Sequence, residues 1–265
     1  MTGSGNDFVM VDGRNTSPRD WSEADIRAVC ARGTGVGVDG LVFVSPSSRP
    51  NAVQMIYFNA DGSRAAMCGN AALCSTRLAA RLAMAKQQAM TLETDAGVYE
   101  GRCVDPGERA QLKLAAVSAP TAVPGLGLLD GERAVLGTVG VPHLVILVDD
   151  VSCLDLVNRG RALRFDPALG PAGANVNFIS PGESRSEWRM RTYERGVEAE
   201  TLACGTGAVA AACAVTEWDL GESPITIWTR SGRRLDVAAR RQLDGSYDEI
   251  WLTGEARLVF RGVIN

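Results

Sequence analysis

The chain has a single histidine, His143, and none of its seven cysteines belongs to a Cys-x-x-Cys pair. The closest cysteines, Cys68 with Cys74 and Cys204 with Cys213, are spaced unlike a zinc finger, so no metal site is expected. An odd number of cysteines spread over 265 residues with no signal peptide reads as thiols of a reducing cytoplasm, not as a disulfide framework. No apolar run approaches the roughly 18 to 20 residues that span a bilayer, which argues against membrane residence. Basic residues (27) are outnumbered by acidic ones (31). The main basic cluster, Arg230, Arg233, Arg234, Arg240 and Arg241, is interrupted by Leu235, Asp236 and Val237. That pattern suits a solvated strand better than a nucleic-acid footprint.

What remains is an ordinary globular composition, 46% hydrophobic and 22% charged, long enough for one large domain or two of about 130 residues. The segment "WSEADIRAVCARG" has helical spacing, with a start signal at Ser22 and a stop at Gly33. Residues 35–40 match G-x-G-x-x-G, but a helix precedes them and the strand-like "LVFVS" follows. A dinucleotide loop needs the reverse order, so no nucleotide site is expected. "NAVQMIYFNADGS" reads as a strand and turn, "CGNAALCSTRLAARLAMA" as a helix, and "MTLETDAGVYEGRCV" with "RAQLKLAAV" as a β-hairpin. The Pro/Gly-rich residues 118–132 are the best linker candidate. Beyond them come a strand "RAVLGTVGVPHLVILVDD", a helix "DLVNRGRALR", strands "ANVNFIS" and "EWRMRTYERG", a helix from Gly205, and strands to the end.

This second series repeats the first. "YFNADGSRAAMCGNAA" (57–72) and "YERGVEAETLACGTGA" (193–208) place a Tyr and a Cys-Gly at identical spacing, both 136 positions apart. Asn6 of "GNDF" and His143 of "VPHL" recur at nearly the same offset, as do "GLVFVS" and "NVNFIS", which identifies two similar halves. Each half delivers a cysteine, Cys68 or Cys204, to the start of its central helix. A helix N-terminus carries unpaired N–H groups and a partial positive charge, favouring a thiolate and seating an anion. Two such thiols on opposite sides of one carbon suit inversion there, one acting as base while the other acts as acid. The N–H groups of Gly69 and Asn70, with those of Gly205 and Thr206, would hold a carboxylate. Neither motif contains a lysine, so no pyridoxal Schiff base, and no cofactor of any kind, is expected.

"GSGNDFVMVD", "GVGVDGLVFV", "FNADGSRAAMCGNAA", "VPHLV", "NVNFI" and "YERGVEAETLACGTGA", in that order, resemble the diaminopimelate epimerase family over nearly the whole chain. The resemblance implies an α/β fold of α+β type. It has two pseudo-symmetric halves, each a barrel-like, mostly antiparallel sheet wrapped around a central helix. Residues 1–117 would form the half carrying Cys68, joined by a C-terminal strand at about 253–265, and residues 118–252 the half carrying Cys204. It further implies a cofactor-independent, cytoplasmic, homodimeric isomerase interconverting LL- and meso-diaminopimelate for lysine and peptidoglycan precursors, with Cys68 and Cys204 as the acid/base pair. Asn6, Asn59, Asn175, Glu194 and Arg195 match family positions that contact the amino-acid substrate, and His143 matches one beside the reacting centre. Arg195 can fork onto a remote carboxylate and Glu194 can pair with an ammonium.

The chain departs from the family pattern at Val141, where Asn is usual before Pro-His, and at Ala71 and Leu73, which replace Gly and Arg. Gly40 stands where some members carry Gln. Val141 leaves open a racemase of another amino acid, histidine among them. A silent amino-acid-binding protein would be expected to lose a cysteine or a helix-start glycine, and both sets are present.

Overall fold

The computed structural model describes residues 1–104 and 108–264; residues 105–107 and 265, which fall within the expected halves, lie outside the described residues. The chain forms two compact units, Met1–Lys113 with Thr253–Asn265, and Leu114–Leu252.

The first unit contains β1 (Thr2–Gly3), β2 (Asn6–Asp12), α1 (Glu23–Cys30), β3 (Gly40–Pro46), β4 (Ala52–Asn59), β5 (Arg64–Ala65), α2 (Gly69–Arg81), β6 (Met90–Thr94), β7 (Gly97–Val104) and β8 (Arg109–Leu114). Its strands run in the order β1-β2-β3-β4-β6-β7-β8. Only the β2–β3 and β4–β6 pairs are parallel; the others are antiparallel. The C-terminal segment returns to this unit: Arg257 bridges Thr2, and the Ala256 N–H donates to the Glu108 carbonyl. Ser22 caps α1 in a reciprocal capping box with Asp25. The helix stops at Cys30, earlier than the Gly33 signal, because Ala31 is already extended.

The second unit contains β9 (Arg133–Val139), β10 (Val141–Leu147), α3 (Leu156–Arg164), β11 (Asn175–Pro181), β12 (Glu187–Glu194), β13 (Ala199–Thr201), α4 (Gly205–Glu217), β14 (Ile225–Trp228), β15 (Arg234–Arg241) and β16 (Tyr247–Glu255), whose last residues belong to the first unit. The strand order is β16-β15-β14-β12-β11-β10-β9, again with two parallel pairs, β10–β11 and β12–β14. "RAVLGTVGVPHLVILVDD" is not one strand but the hairpin β9–β10. The chain reverses at Gly140, whose φ of 71° is open to glycine, and Val139 pairs with Val141. The Pro/Gly-rich segment packs into this unit, with Thr121 bridging Leu136 and Leu126 buried. Of the basic cluster, Arg240 pairs with Asp248, Arg241 with Glu217 and Arg230 with Glu200.

Each sheet wraps its central helix. α2 contacts β1, β2, β3, β4, β6 and β7; α4 contacts β9, β10, β11, β14 and β15. α4 is buried nearly all round, from Gly205 and Gly207 through Val215, and its alanines are small enough to be enclosed on so many sides. Buried hydroxyls on α2 are satisfied within the helix, Ser75 donating to the Ala71 carbonyl and Thr76 to that of Ala72.

The ladders correct the sequence register. Gly40 pairs with Phe8 and Asn59, as Asn175 pairs with His143 and, by continuation of its ladder, Glu194. The strands therefore correspond at an offset of 135 (40 to 175), while the cysteines keep 136. His143 answers to Phe8, not Asn6. Tyr57 answers to Thr192, and Tyr193 to Phe58, so the two motif tyrosines face opposite sides of their sheets. Tyr57 stacks edge-on against Phe8 at 6.0 Å, whereas Tyr193 lies in the cluster under α3.

That cluster supplies a stability prediction. Gly160, in the middle of α3, lies so near Tyr193 that an added Cβ would stand 2.6 Å from the tyrosine Cβ and 2.9 Å from its Cγ. In an open helix Ala would be favoured over Gly by about 1 kcal/mol. Here the clash with a ring fixed on β12 reverses the sign, and Gly160→Ala is expected to cost about 1–3 kcal/mol in urea denaturation. A more stable variant would mean that α3 can move off the strand.

Candidate active site

Cys68 and Cys204 occupy equivalent places, each the N-cap of a thirteen-residue helix and each in extended backbone (φ −142° and −133°), without a side-chain cap bond. The first helical bonds run from Ala72 N–H to the Cys68 carbonyl and from Ala208 N–H to the Cys204 carbonyl, both 2.9 Å. The N–H groups of Gly69 and Asn70, and of Gly205 and Thr206, precede those bonds and have no acceptor within the helix. Cys68 is half-buried, whereas Cys204 is only 8% exposed, less open than a helix-start thiol need be. The Thr206 hydroxyl lies 3.7 Å from the Cys204 Sγ. The helix-interior cysteines differ in kind: burial pushes the Cys74 and Cys213 thiols up to about 12, which leaves them inert near neutrality.

Around Cys68, the network begins in the loop that resembles a nucleotide motif. Asp39 accepts from Asn6 Nδ2 at 3.0 Å and from the Asp7 N–H at 3.2 Å, and is itself paired with Arg32. A carboxylate only accepts, so the Asn6 amide is oriented: its Oδ1 must face Asn70, whose Nδ2 donates to it at 2.7 Å. Asn70 is 3% exposed, and its Oδ1 is buried without a partner among the described residues. Asn59 serves a turn, its Nδ2 donating to the Ser63 hydroxyl at 3.0 Å. Ala71 and Leu73 are fully buried in α2. At Gly40 a Cβ would lie 2.5 Å from the Phe58 carbonyl and 2.6 Å from the Tyr57 ring, so no side chain fits there.

Around Cys204, Asn175 is 4% exposed and its Oδ1 accepts the Arg195 N–H at 2.8 Å, which fixes the turn that carries Arg195. Among the described residues the Arg195 guanidinium has no ion pair, and it does not pair with Glu194. Burial raises the Glu194 carboxyl above the ordinary range, and Thr201 acts in the opposite direction. His143 is fully buried. Its Nδ1 lies 3.2 Å from Asn177 Nδ2, while its Nε2 has no partner among the described residues. Burial first, and the charge of Arg195 second, lower its pKa to about 3.

Asn177, Asp39 and Thr192 escaped the sequence reading. The signal for Asn177 is its place two residues after Asn175, on the same face of β11. Val141 opens β10, half-buried and paired with Val139. A shallow depression lined by Asn51, Met90, Thr91, Tyr99 and Glu100 includes none of these residues. Among the described residues no group of three or more His, Cys, Asp and Glu side chains could hold a metal ion.

The diaminopimelate epimerase family model matches residues 1–118 and 135–259. Diaminopimelate epimerase of Gemmatimonas aurantiaca is 43% identical over 274 residues, covering all of this chain and 97% of the relative. That of Aquifex aeolicus is 39% identical over 275 residues, covering 99% and 95%. Among solved structures, a Bacillus anthracis phenazine biosynthesis protein of the PhzF family superposes with a TM-score of 0.72 over 96% of this chain and 92% of its own, at 16% identity, a likeness of fold.

The His143 environment sets a pH dependence. An unfolded chain binds a proton at histidine below about 6.5, whereas folded His143 does not until about 3. The folded state therefore loses stability as pH falls through that window, by up to about 1.4 kcal/mol per pH unit. Urea denaturation of wild type and His143→Gln should show a difference that is constant above pH 7 and moves in favour of the variant from pH 6.5 towards 4. A difference unchanged by pH would mean that the folded ring accepts a proton.

Proposed function

We propose, since this chain belongs to the diaminopimelate epimerase family, that it interconverts LL- and meso-diaminopimelate by proton transfer between Cys68, Cys204 and the substrate Cα. The observation that carries the reading is the presence of both cysteines at the starts of two equivalent helices, in a chain 43% identical to a diaminopimelate epimerase along its full length. One cysteine, as thiolate, takes the Cα proton and becomes a thiol. The electron pair left on carbon is stabilised through the adjoining carboxylate, which helix-start N–H groups hold. The other cysteine, as thiol, delivers its proton to the opposite face and becomes the thiolate. The reverse reaction exchanges the two roles.

Arg195, without an ion pair among the described residues, suits the remote carboxylate, and the half-buried Glu194 suits an ammonium group. Asn6 and Asn70 form the polar wall beside Cys68, and Asn175 holds the Arg195 turn. Asn59 contributes from its turn. In this reading the protein is a homodimer that supplies lysine and peptidoglycan precursors, and sedimentation should give twice the chain mass. Among the described residues no helix is long and apolar enough to cross a membrane.

Val141 favours a second reading, an amino acid with a different distal end, because it offers an apolar side chain where the family has an amide. Both readings are decided by NMR of deuterium incorporation at Cα under reducing conditions, with LL-diaminopimelate beside a panel of simple L-amino acids including histidine. Exchange with inversion of diaminopimelate alone is expected; exchange only of another amino acid would move the enzyme to that substrate. Cys68→Ala and Cys204→Ala should each lower kcat by at least about 10²-fold while unfolding cooperatively, and full activity in either would end the two-thiol mechanism.

A further inference from the structure

His143 is a fully buried side chain whose hydrogen-bonding role depends on where a single proton sits, and its neighbours decide that place. Asn177, fully buried on β11, makes three contacts. Its Oδ1 accepts from the Thr192 hydroxyl at 3.0 Å; its Nδ2 donates to the Leu144 carbonyl at 3.3 Å and faces His143 Nδ1 at 3.2 Å. A carbonyl cannot donate, so the Leu144 contact fixes the amide with Nδ2 on that side. Nδ2 is then a donor to His143, which makes Nδ1 the acceptor and leaves the neutral ring's proton on Nε2. The Nε2 is buried and has no partner among the described residues. The cluster lies at the head of α4: a Cβ on Gly207 would stand 2.3 Å from Asn177 Oδ1 and 3.2 Å from Cys204 Sγ, so the glycine leaves room for both.

The fold does not call for this arrangement. In the first unit the positions equivalent to His143, Asn177 and Thr192 are Phe8, Val42 and Tyr57, a mainly aromatic and aliphatic set at the same places in the ladders, with neither an imidazole nor an amide. The same places in the ladder are thus filled without an imidazole or an amide, and the His143–Asn177 pair is peculiar to the half that carries Cys204.

We propose that Asn177 is a positioning residue that locks His143 as the Nε2–H tautomer, making the ring a fixed hydrogen-bond donor to an anionic group of the reaction and keeping it out of proton transfer. The proposal rests on the epimerase reading of the site. With Nδ1 occupied by Asn177 and Nε2 already protonated, His143 has no lone pair with which to take the α-proton, and that task is left to the thiols.

Because His143 is the only histidine, ¹⁵N-histidine labelling of the full chain reports one ring without assignment. The wild type should show a pyridine-type Nδ1 and a pyrrole-type Nε2, unchanged from pH 5 to 8. Asn177→Asp presents an acceptor to Nδ1 and should move the proton there. Asn177→Val, which installs the residue of the first unit, should give averaged shifts of both tautomers. Both variants should lose on the order of 10²-fold in kcat, and in a His143→Gln background Asn177→Val should cost little more. A wild-type ring protonated on Nδ1, or a single Nε2–H tautomer persisting in both variants, would overturn the proposal. Should Asn177→Asp fail to fold, the wild-type spectrum and Asn177→Val decide it. Lost tautomer control with unchanged epimerisation would overturn the catalytic role of the lock, while the two-thiol reading would still stand or fall on the cysteine variants.

Discussion

Each unit has to enclose a helix with strands on many sides, and that constraint governs most of what the site contains. Enclosure demands small side chains, which is why α4 runs through Gly207, Ala208, Ala210, Ala211, Ala212 and Ala214. It also brings the helix start close to the neighbouring strands, where the unpaired N–H groups of the first turn cannot simply face bulk water and need an anion or a polar partner. The side chains gathered at each helix start follow from this. Asn6 and Asn70 meet at α2, and Asn177 fills the gap left by Gly207 at α4. Cysteine at the N-cap is small enough for the same space, and its thiol, unlike a serine hydroxyl, can lose and regain a proton near neutral pH.

The two units answer this common constraint differently. The first backs its helix with Phe8 stacked on Tyr57 and holds its polar groups to the Asp39–Asn6–Asn70 chain. The second backs its helix with the hydrogen-bonded set His143, Asn177 and Thr192.

Much of this was legible in the chain. The helix starts at Cys68 and Cys204 follow from a cysteine joined to glycine and an alanine-rich run, and the α/β class from strand-like and helical segments in repeated order. What stayed hidden depends on partners distant in sequence. Asn177 looks like any strand asparagine until Leu144 and Thr192 are placed beside it. Asp39 belonged to a motif dismissed as a nucleotide loop, and its use is to orient Asn6. The tyrosine spacing misled for a definite reason: identical distance to a cysteine says nothing about strand face when the intervening turns differ in length.

That difference sits in one place. The turn after β4 closes from Asn59 to Ser63, whereas the turn after β12 runs from Glu194 to Ala199 and holds one residue more, with Gly196 and Glu198 in left-handed backbone. A residue added there costs little beyond a slightly longer loop, but the same residue added inside β12 would turn Trp188 and Met190 out of the core. The extra length falls in the turn that begins with Arg195, whose N–H is tied to Asn175. The extra residue is thus placed where the chain tolerates a change of length, without disturbing the strand that anchors it.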